Sequence, residues 1–161
     1  MRDSDAVAEE APTHRRPVST DEFKMALSRF ASGVTVLTAR DTSTGDPPED
    51  VAMTATAFMS VSLDPPLVVV SVGRESRMFD LLARRDQWAV SVLAEEQVHV
   101  SSRFAIPGRV SDRLLFEDLP RHLGRVTGAV ILDGALSAVE CRTVNRIPAG
   151  DHTLMVGLVL A

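Results

Sequence analysis

From residue 53 to residue 63 the chain alternates. Met53, Ala55, Ala57, Met59, Val61 and Leu63 share one parity, and Thr54, Thr56, Phe58, Ser60 and Ser62 share the other. A period of two puts the two sets on opposite faces of a strand. The pattern predicts one long strand over residues 51–63, with its apolar face packed inward. The opposite face then offers the hydroxyls of Thr54, Thr56, Ser60 and Ser62 beside the ring of Phe58. Asp64-Pro65-Pro66 ends the strand, because proline cannot donate to a ladder.

The other segments follow the same logic. Ser19 to Glu22 reads as a capping box, and Phe23, Ala26, Leu27 and Phe30 form the stripe of an amphipathic helix closed by Gly33. Residues 34–39 are short and β-branched, hence a strand; residues 41–50 hold Gly45, Pro47 and Pro48, hence a loop. Residues 67–72 are nearly all apolar and read as a strand buried on both faces. Ser76 caps a short helix reaching Arg85. Residues 88–93 form a strand, 94–104 a helix, and 106–128 an irregular stretch. Residues 136–144 and 153–160 read as strands joined by a linker over 145–152. Many strands and few helices predict a mainly β domain, a β-barrel with peripheral helices. A parallel Rossmann sheet does not fit, since helices and strands do not alternate.

Composition narrows the function. The chain has 161 residues, enough for one domain. Residues 1–17 read as a disordered leader and residues 18–161 as the folded domain. Seventeen basic against 22 acidic residues give a net charge of -5, which argues against a nucleic-acid partner. No apolar run is long enough for a membrane span. The leader lacks the apolar core of a signal peptide, and the single cysteine, Cys141, allows no internal disulfide. The expected location is the cytoplasm.

Three features could carry chemistry. The hydroxyl face of residues 54–62 could bond a flat polar ring, although exposed strands are commonly rich in Ser and Thr. Gly73-Arg74-Glu75-Ser76-Arg77 sets a helix start beside two guanidinium groups, a phosphate-binding pattern that a solvated turn also produces. Gly150-Asp151-His152 opens the last strand, where the aspartate could orient the imidazole or simply make a hairpin turn. No Cys-x-x-Cys, His-Glu-x-x-His or carboxylate cluster appears, so no metal site is expected. Neither a Gly-x-Ser-x-Gly elbow nor a Gly-x-Gly-x-x-Gly fingerprint is present. Nucleophilic hydrolysis has no support, and a nicotinamide would have to bind without a Rossmann turn.

Taken in order, four stretches resemble the flavin reductase-like family, the reductase components of two-component flavin-dependent monooxygenases. They are RFASGVTVLT at 29–38, MTATAFMSVSLDPPLV at 53–68, WAVSVL at 88–93 leading to RFA at 103–105, and LDGA at 132–135 followed by PAGDHT at 148–153. The resemblance implies an FMN-binding split barrel, a Greek-key-like antiparallel barrel. It implies an NAD(P)H:flavin oxidoreductase that uses NADH or NADPH to reduce FMN or FAD, a homodimer, and a separate monooxygenase that receives the reduced flavin. A non-catalytic flavin- or haem-binding split barrel is the alternative, and an oxidase of a phosphorylated pyridine ranks below both.

Residue roles are implied in the same way. Thr54, Ala55, Thr56, Ala57, Phe58, Ser60, Val61 and Ser62 would line the flavin ring and ribityl chain. Ser71, Val72, Arg74, Ser76 and Arg77 would lie near its phosphate, and Phe104 would border the flavin or its dimer neighbour. His152 would stand on the nicotinamide side; no residue is assigned as a catalytic acid or base. Three departures are visible. Ala52 stands where the family commonly has glycine. The family's final Arg-Gly segment is absent, which predicts a simplified barrel edge and dimer contact. The chain has no tyrosine, so a ring stacked on the flavin would come from Phe58, Phe104 or Trp88.

Overall fold

The computed structural model describes residues 18–43, 45–106, 108 and 111–161. The expected leader lies outside these residues. The chain divides into two units, the first ending at Ala31 and the second spanning Ser32–Ala161.

The described part of the first unit, residues 18–31, contains the helix α1, Thr20–Leu27. Its capping box is formed: Ser19 Oγ accepts the Glu22 N–H at 3.3 Å, and the Glu22 carboxylate accepts the Ser19 N–H at 2.9 Å. The helix stops short of Gly33, with Ser28 as its C-cap, and none of its residues is buried. Phe23, Leu27 and Phe30 are exposed.

In the second unit the chain runs β1 (Thr35–Asp41), β2 (Glu49–Ala55), β3 (Phe58–Leu63), β4 (Pro66–Gly73), α2 (Arg77–Arg84) and β5 (Gln87–Val92). A short 3-10 turn (Glu95–Gln97), α3 (Val98–Phe104) and α4 (Arg113–Phe116) follow. Then come β6 (Arg121–Leu123), β7 (Val130–Leu132), β8 (Ser137–Ala149) and β9 (His152–Val159). Seven strands form one sheet in the order β2-β1-β5-β8-β9-β4-β3, and β6 pairs with β7. Every pairing is antiparallel. The mainly β reading therefore holds, but the barrel expected from the sequence is present only as an open ladder with β2 and β3 at its edges.

Those edge strands are consecutive in the chain, and here the sequence reading needs correction. Residues 51–63 are not one strand; the ladder breaks at Thr56 and Ala57, whose carbonyl accepts Ser71 N–H at 3.0 Å. Before the break Val51 and Ala55 point into the core; after it Phe58 does, and Met59, Val61 and Leu63 are exposed. Leu63 is 92% exposed. Val51 and Ala55 face that core before the break and Phe58 after it, so the parity facing it changes; Ala52 is buried in a second core, and Ser60 is exposed. A local irregularity is enough to turn a strand over, since its side chains repeat every two residues.

Other boundaries also move. The loop over 41–50 shrinks, because β1 reaches Asp41 and β2 starts at Glu49. β4 buries one face fully and the other only in part. β1 is covered on both sides: Leu37 lies in a core shared by β4, α2, β5 and β9, and Val36 in another with α3, α4 and β7. The helix expected over 94–104 begins as a 3-10 turn, and the irregular stretch contains α4 and β6. The linker over 145–152 is largely strand. β8 runs on to Ala149, and Arg146 reaches from it to the Leu82 carbonyl near the end of α2 at 2.8 Å.

Trp88 is fully buried, and its Nε1–H donates to Thr143 Oγ1 at 2.9 Å. It packs against the bare backbone of Gly157, where an added Cβ would fall 2.3 Å from Cζ2. Beside them Cys141 is also sealed from water, and its thiol pKa is pushed up to about 12 by burial and by the Glu140 carboxylate.

Candidate functional site

A cavity of about 620 Å³ opens where β2, the β4–α2 turn, the end of α3 and the β8–β9 turn meet. Its apolar wall includes Met53, Met78 and Phe104; Arg74, Arg77, Asp151 and His152 are polar residues of its lining. This size and mixture suit a small-molecule site. Phe104 is held by Phe116, ring centre to ring centre 5.0 Å.

The candidates from the sequence divide here. Thr54, Arg74, Ser76, Arg77, Phe104 and His152 line the cavity, brought together from four separate stretches of chain. Ala55 and Val72 are buried in the core, Ser71 and Ser62 are half-buried, and Phe58 packs on the core's edge. Thr56, Ala57, Ser60 and Val61 are exposed at and after the strand break. Trp88, one of the three rings considered for stacking, lies in the core instead.

Several hydroxyls already have partners. Thr54 Oγ1 donates to the Ser101 carbonyl at 2.6 Å, fastening β2 to α3. Ser76 caps α2 by accepting the Phe79 N–H at 3.1 Å, and it donates to the Gly73 carbonyl at 2.7 Å. The β4–α2 turn is tied to the last hairpin, because Arg74 N–H donates to the Asp151 carbonyl at 3.0 Å.

The charged groups differ in freedom. Among the described residues the Arg74 guanidinium has no ion pair or hydrogen bond, and the side chain is exposed. Arg77 instead donates from Nη2 to Glu49 at 2.6 Å and lies 3.7 Å from Asp112 by its Nη1. Glu49 and Asp112 escaped the sequence reading, since one sat in an assumed loop and the other in an assumed irregular stretch. His152 Nδ1 stands 2.7 Å from the Asp151 carboxylate. That contact holds the Asp151 pKa below its usual value, first through the hydrogen bond and then through charge. An ionised carboxylate only accepts, so Nδ1 carries the proton and Nε2 is left to face Gly73. A Cβ on Gly73 would lie 3.7 Å from Nε2.

A second depression contains two closed pairs, Arg40 with Asp50 and His122 with Asp133. Among the described residues no group of His, Cys, Asp and Glu is placed to hold a metal ion, and no helix is long and apolar enough to cross a membrane.

Residues 27–161 match the model of the flavin reductase like domain. The chain belongs to the flavin reductase-like family. This flavin reductase is 43% identical over 139 residues to the reductase component of 4-hydroxyphenylacetate 3-monooxygenase from Thermus thermophilus, covering 86% of this chain and 81% of that protein. It is 42% identical over 137 residues to an NADH-dependent flavin reductase from a Rhodococcus species, covering 85% and 73%. Among solved structures it resembles BorF, the flavin reductase component of a bacterial two-component tryptophan halogenase (TM-score 0.78, 39% identity, 89% and 86% coverage). It also resembles the NADH:FAD oxidoreductase SgcE6 of Streptomyces globisporus in complex with NAD and FAD fragments (TM-score 0.76, 33% identity, 91% and 85% coverage). By this membership the chain is an NAD(P)H:flavin oxidoreductase.

Proposed function

We propose that the cavity beside β2 takes the flavin with its phosphate toward Arg74, that the nicotinamide approaches from His152, and that the reduced flavin leaves for a separate flavin-dependent monooxygenase. One observation carries this reading: six candidates chosen from sequence, drawn from four separate stretches of the chain, line a single cavity. The residues present fit a flavin. Met53, Met78 and Phe104 give an apolar wall for a flat ring, and Arg74 holds an unopposed positive charge for a phosphate.

Bound together, a flavin and a nicotinamide would supply the hydride transfer between them as their own chemistry. The chain's task is to hold them. Phe104 and Met53 exclude water from one side of the cavity. At the break, near the lining residue Thr54, the Thr56 backbone and the Ala57 N–H would meet the polar edge of the ring, the Ala57 carbonyl being held by Ser71. His152, fixed by Asp151, presents Nε2 as a hydrogen-bonding group for the nicotinamide amide. No lining residue need ionise, and positioning alone can contribute several kcal/mol.

The open ladder ends in two strands joined directly through Thr56 and Ala57, which supports the split barrel of the family. The exposed Met59, Val61 and Leu63 on edge strand β3 support a homodimer. A single, buried cysteine supports a reducing cytoplasm.

Purified protein mixed with NADH and FMN should consume NADH far faster than the mixture without protein. A rate no higher than that control with FMN, FAD and riboflavin alike refutes the reading. A bound yellow flavin that NADH does not bleach would point to the non-catalytic alternative.

A further inference from the structure

Asp112 sits just before α4, where an aspartate ordinarily accepts a backbone N–H of its own helix. Its side chain makes no such bond. The carboxylate turns into the fold instead, 1% exposed, where Oδ2 accepts the Ala52 N–H of β2 at 2.9 Å. The same oxygen lies 3.7 Å from Nη1 of Arg77. On its other terminal nitrogen Arg77 meets Glu49 at 2.6 Å. Nη1 is sealed from water and has no hydrogen-bond partner. One guanidinium therefore faces two carboxylates and still keeps a donor unsatisfied.

A phosphate reaching the arginine side of the cavity meets two different cations. Arg74 offers its charge unopposed. The field of Arg77 is offset by Asp112 and Glu49, and Asp112, being buried, is poorly screened by salt. Free access to both arginines would let each make a charge-assisted fork to the phosphate. A protein that hands its flavin on needs fast release, and release is where affinity is mostly set.

We propose that Asp112 and Glu49 attenuate Arg77 as a phosphate ligand, so that the flavin is held loosely enough to leave. This rests on the reading above that the flavin phosphate lies at the arginine side. Asp112 is thus a positioning residue that acts through Arg77, and Arg74 is the main cation for the phosphate.

The test is equilibrium binding of FMN and of riboflavin, which lacks the phosphate, to the full chain, followed by flavin fluorescence. D112N keeps an acceptor for the Ala52 N–H and removes the charge. E49Q removes the other charge from a half-buried position at the start of β2 and keeps an acceptor for Arg77. Each should lower the Kd for FMN by about fivefold and leave that for riboflavin within about twofold. The FMN release rate in stopped flow should fall in step. Adding R77M to D112N should abolish the gain. Unchanged or weaker FMN binding in both variants overturns the proposal, as does an equal gain for riboflavin or a gain that survives R77M. Equal affinity of the unaltered protein for FMN and riboflavin overturns the phosphate placement and this proposal together, whereas NADH consumption with FMN would still stand.

Discussion

Replacing Gly157 by alanine should unfold this reductase more readily without touching its site. The new Cβ would lie 2.3 Å from Cζ2 and 2.9 Å from Cη2 of Trp88, and 3.2 Å from the Cys141 Cβ. Carbon atoms rest about 3.5–4.0 Å apart, so the indole must retreat by more than about 1 Å. It has nowhere to go, being fully buried and tethered by its N–H to Thr143. Overpacking of this kind costs about 1–3 kcal/mol, and loosening the buried hydrogen bond adds about 1 kcal/mol. Relief of glycine's entropy in a strand returns about 0.5–1 kcal/mol. The net expectation is a loss of about 1–3.5 kcal/mol. The assay is urea unfolding followed by fluorescence. The chain has one tryptophan and no tyrosine, so the emission reports on the very ring that is displaced. Circular dichroism on the G157A/W88F pair completes the test, because W88F removes the colliding edge and should recover at least about 1 kcal/mol. A loss below about 0.5 kcal/mol in G157A, or no coupling between the two changes, refutes the packing argument.

Two further outcomes are expected. H152A should raise the nicotinamide KM by about fivefold or more and the flavin KM by less, and equal effects in steady-state kinetics would assign His152 a structural role. Glu140 is buried; burial favours its neutral form, but bonds from Thr127 Oγ1 and from the Thr127, Val126 and Arg125 N–H groups outweigh this and lower its pKa below 4.5. Its stabilising effect is therefore complete above that value and lost as pH falls through the lower folded one. E140Q should cost about 1–3 kcal/mol at neutral pH and flatten the acid limb of a stability profile; an unchanged limb speaks against it.

Much of the β content was legible because alternation and proline placement are local properties. The same locality explains the errors. Period two places Met59 and Val61 on one face but cannot say that the ladder breaks at Thr56 and turns that face outward. Apolar density suggested double burial for β4, whereas only the sheet order shows that β1 has cores on both sides. In the site, Arg74, Ser76 and Arg77 were found from a compact turn, and His152 from its neighbour Asp151. Glu49 and Asp112 left no local sign, since their partner Arg77 lies far along the chain from each. Nor could sequence separate the unpaired Arg74 from the neutralised Arg77, because the difference is made by those carboxylates. Trp88 looked available for stacking until Gly157 and Thr143 were seen to enclose it.

The setting of Cys141 bears on how such an enzyme survives its own work. Free reduced flavin that meets oxygen before reaching an acceptor yields hydrogen peroxide, and the oxidant arises next to the protein that made its precursor. Peroxide attacks the thiolate form and needs contact with it. A sulfur shut away from solvent, its thiol pKa pushed up to about 12 by burial, meets neither condition, so repeated turnover in air should leave this chain's thiol intact.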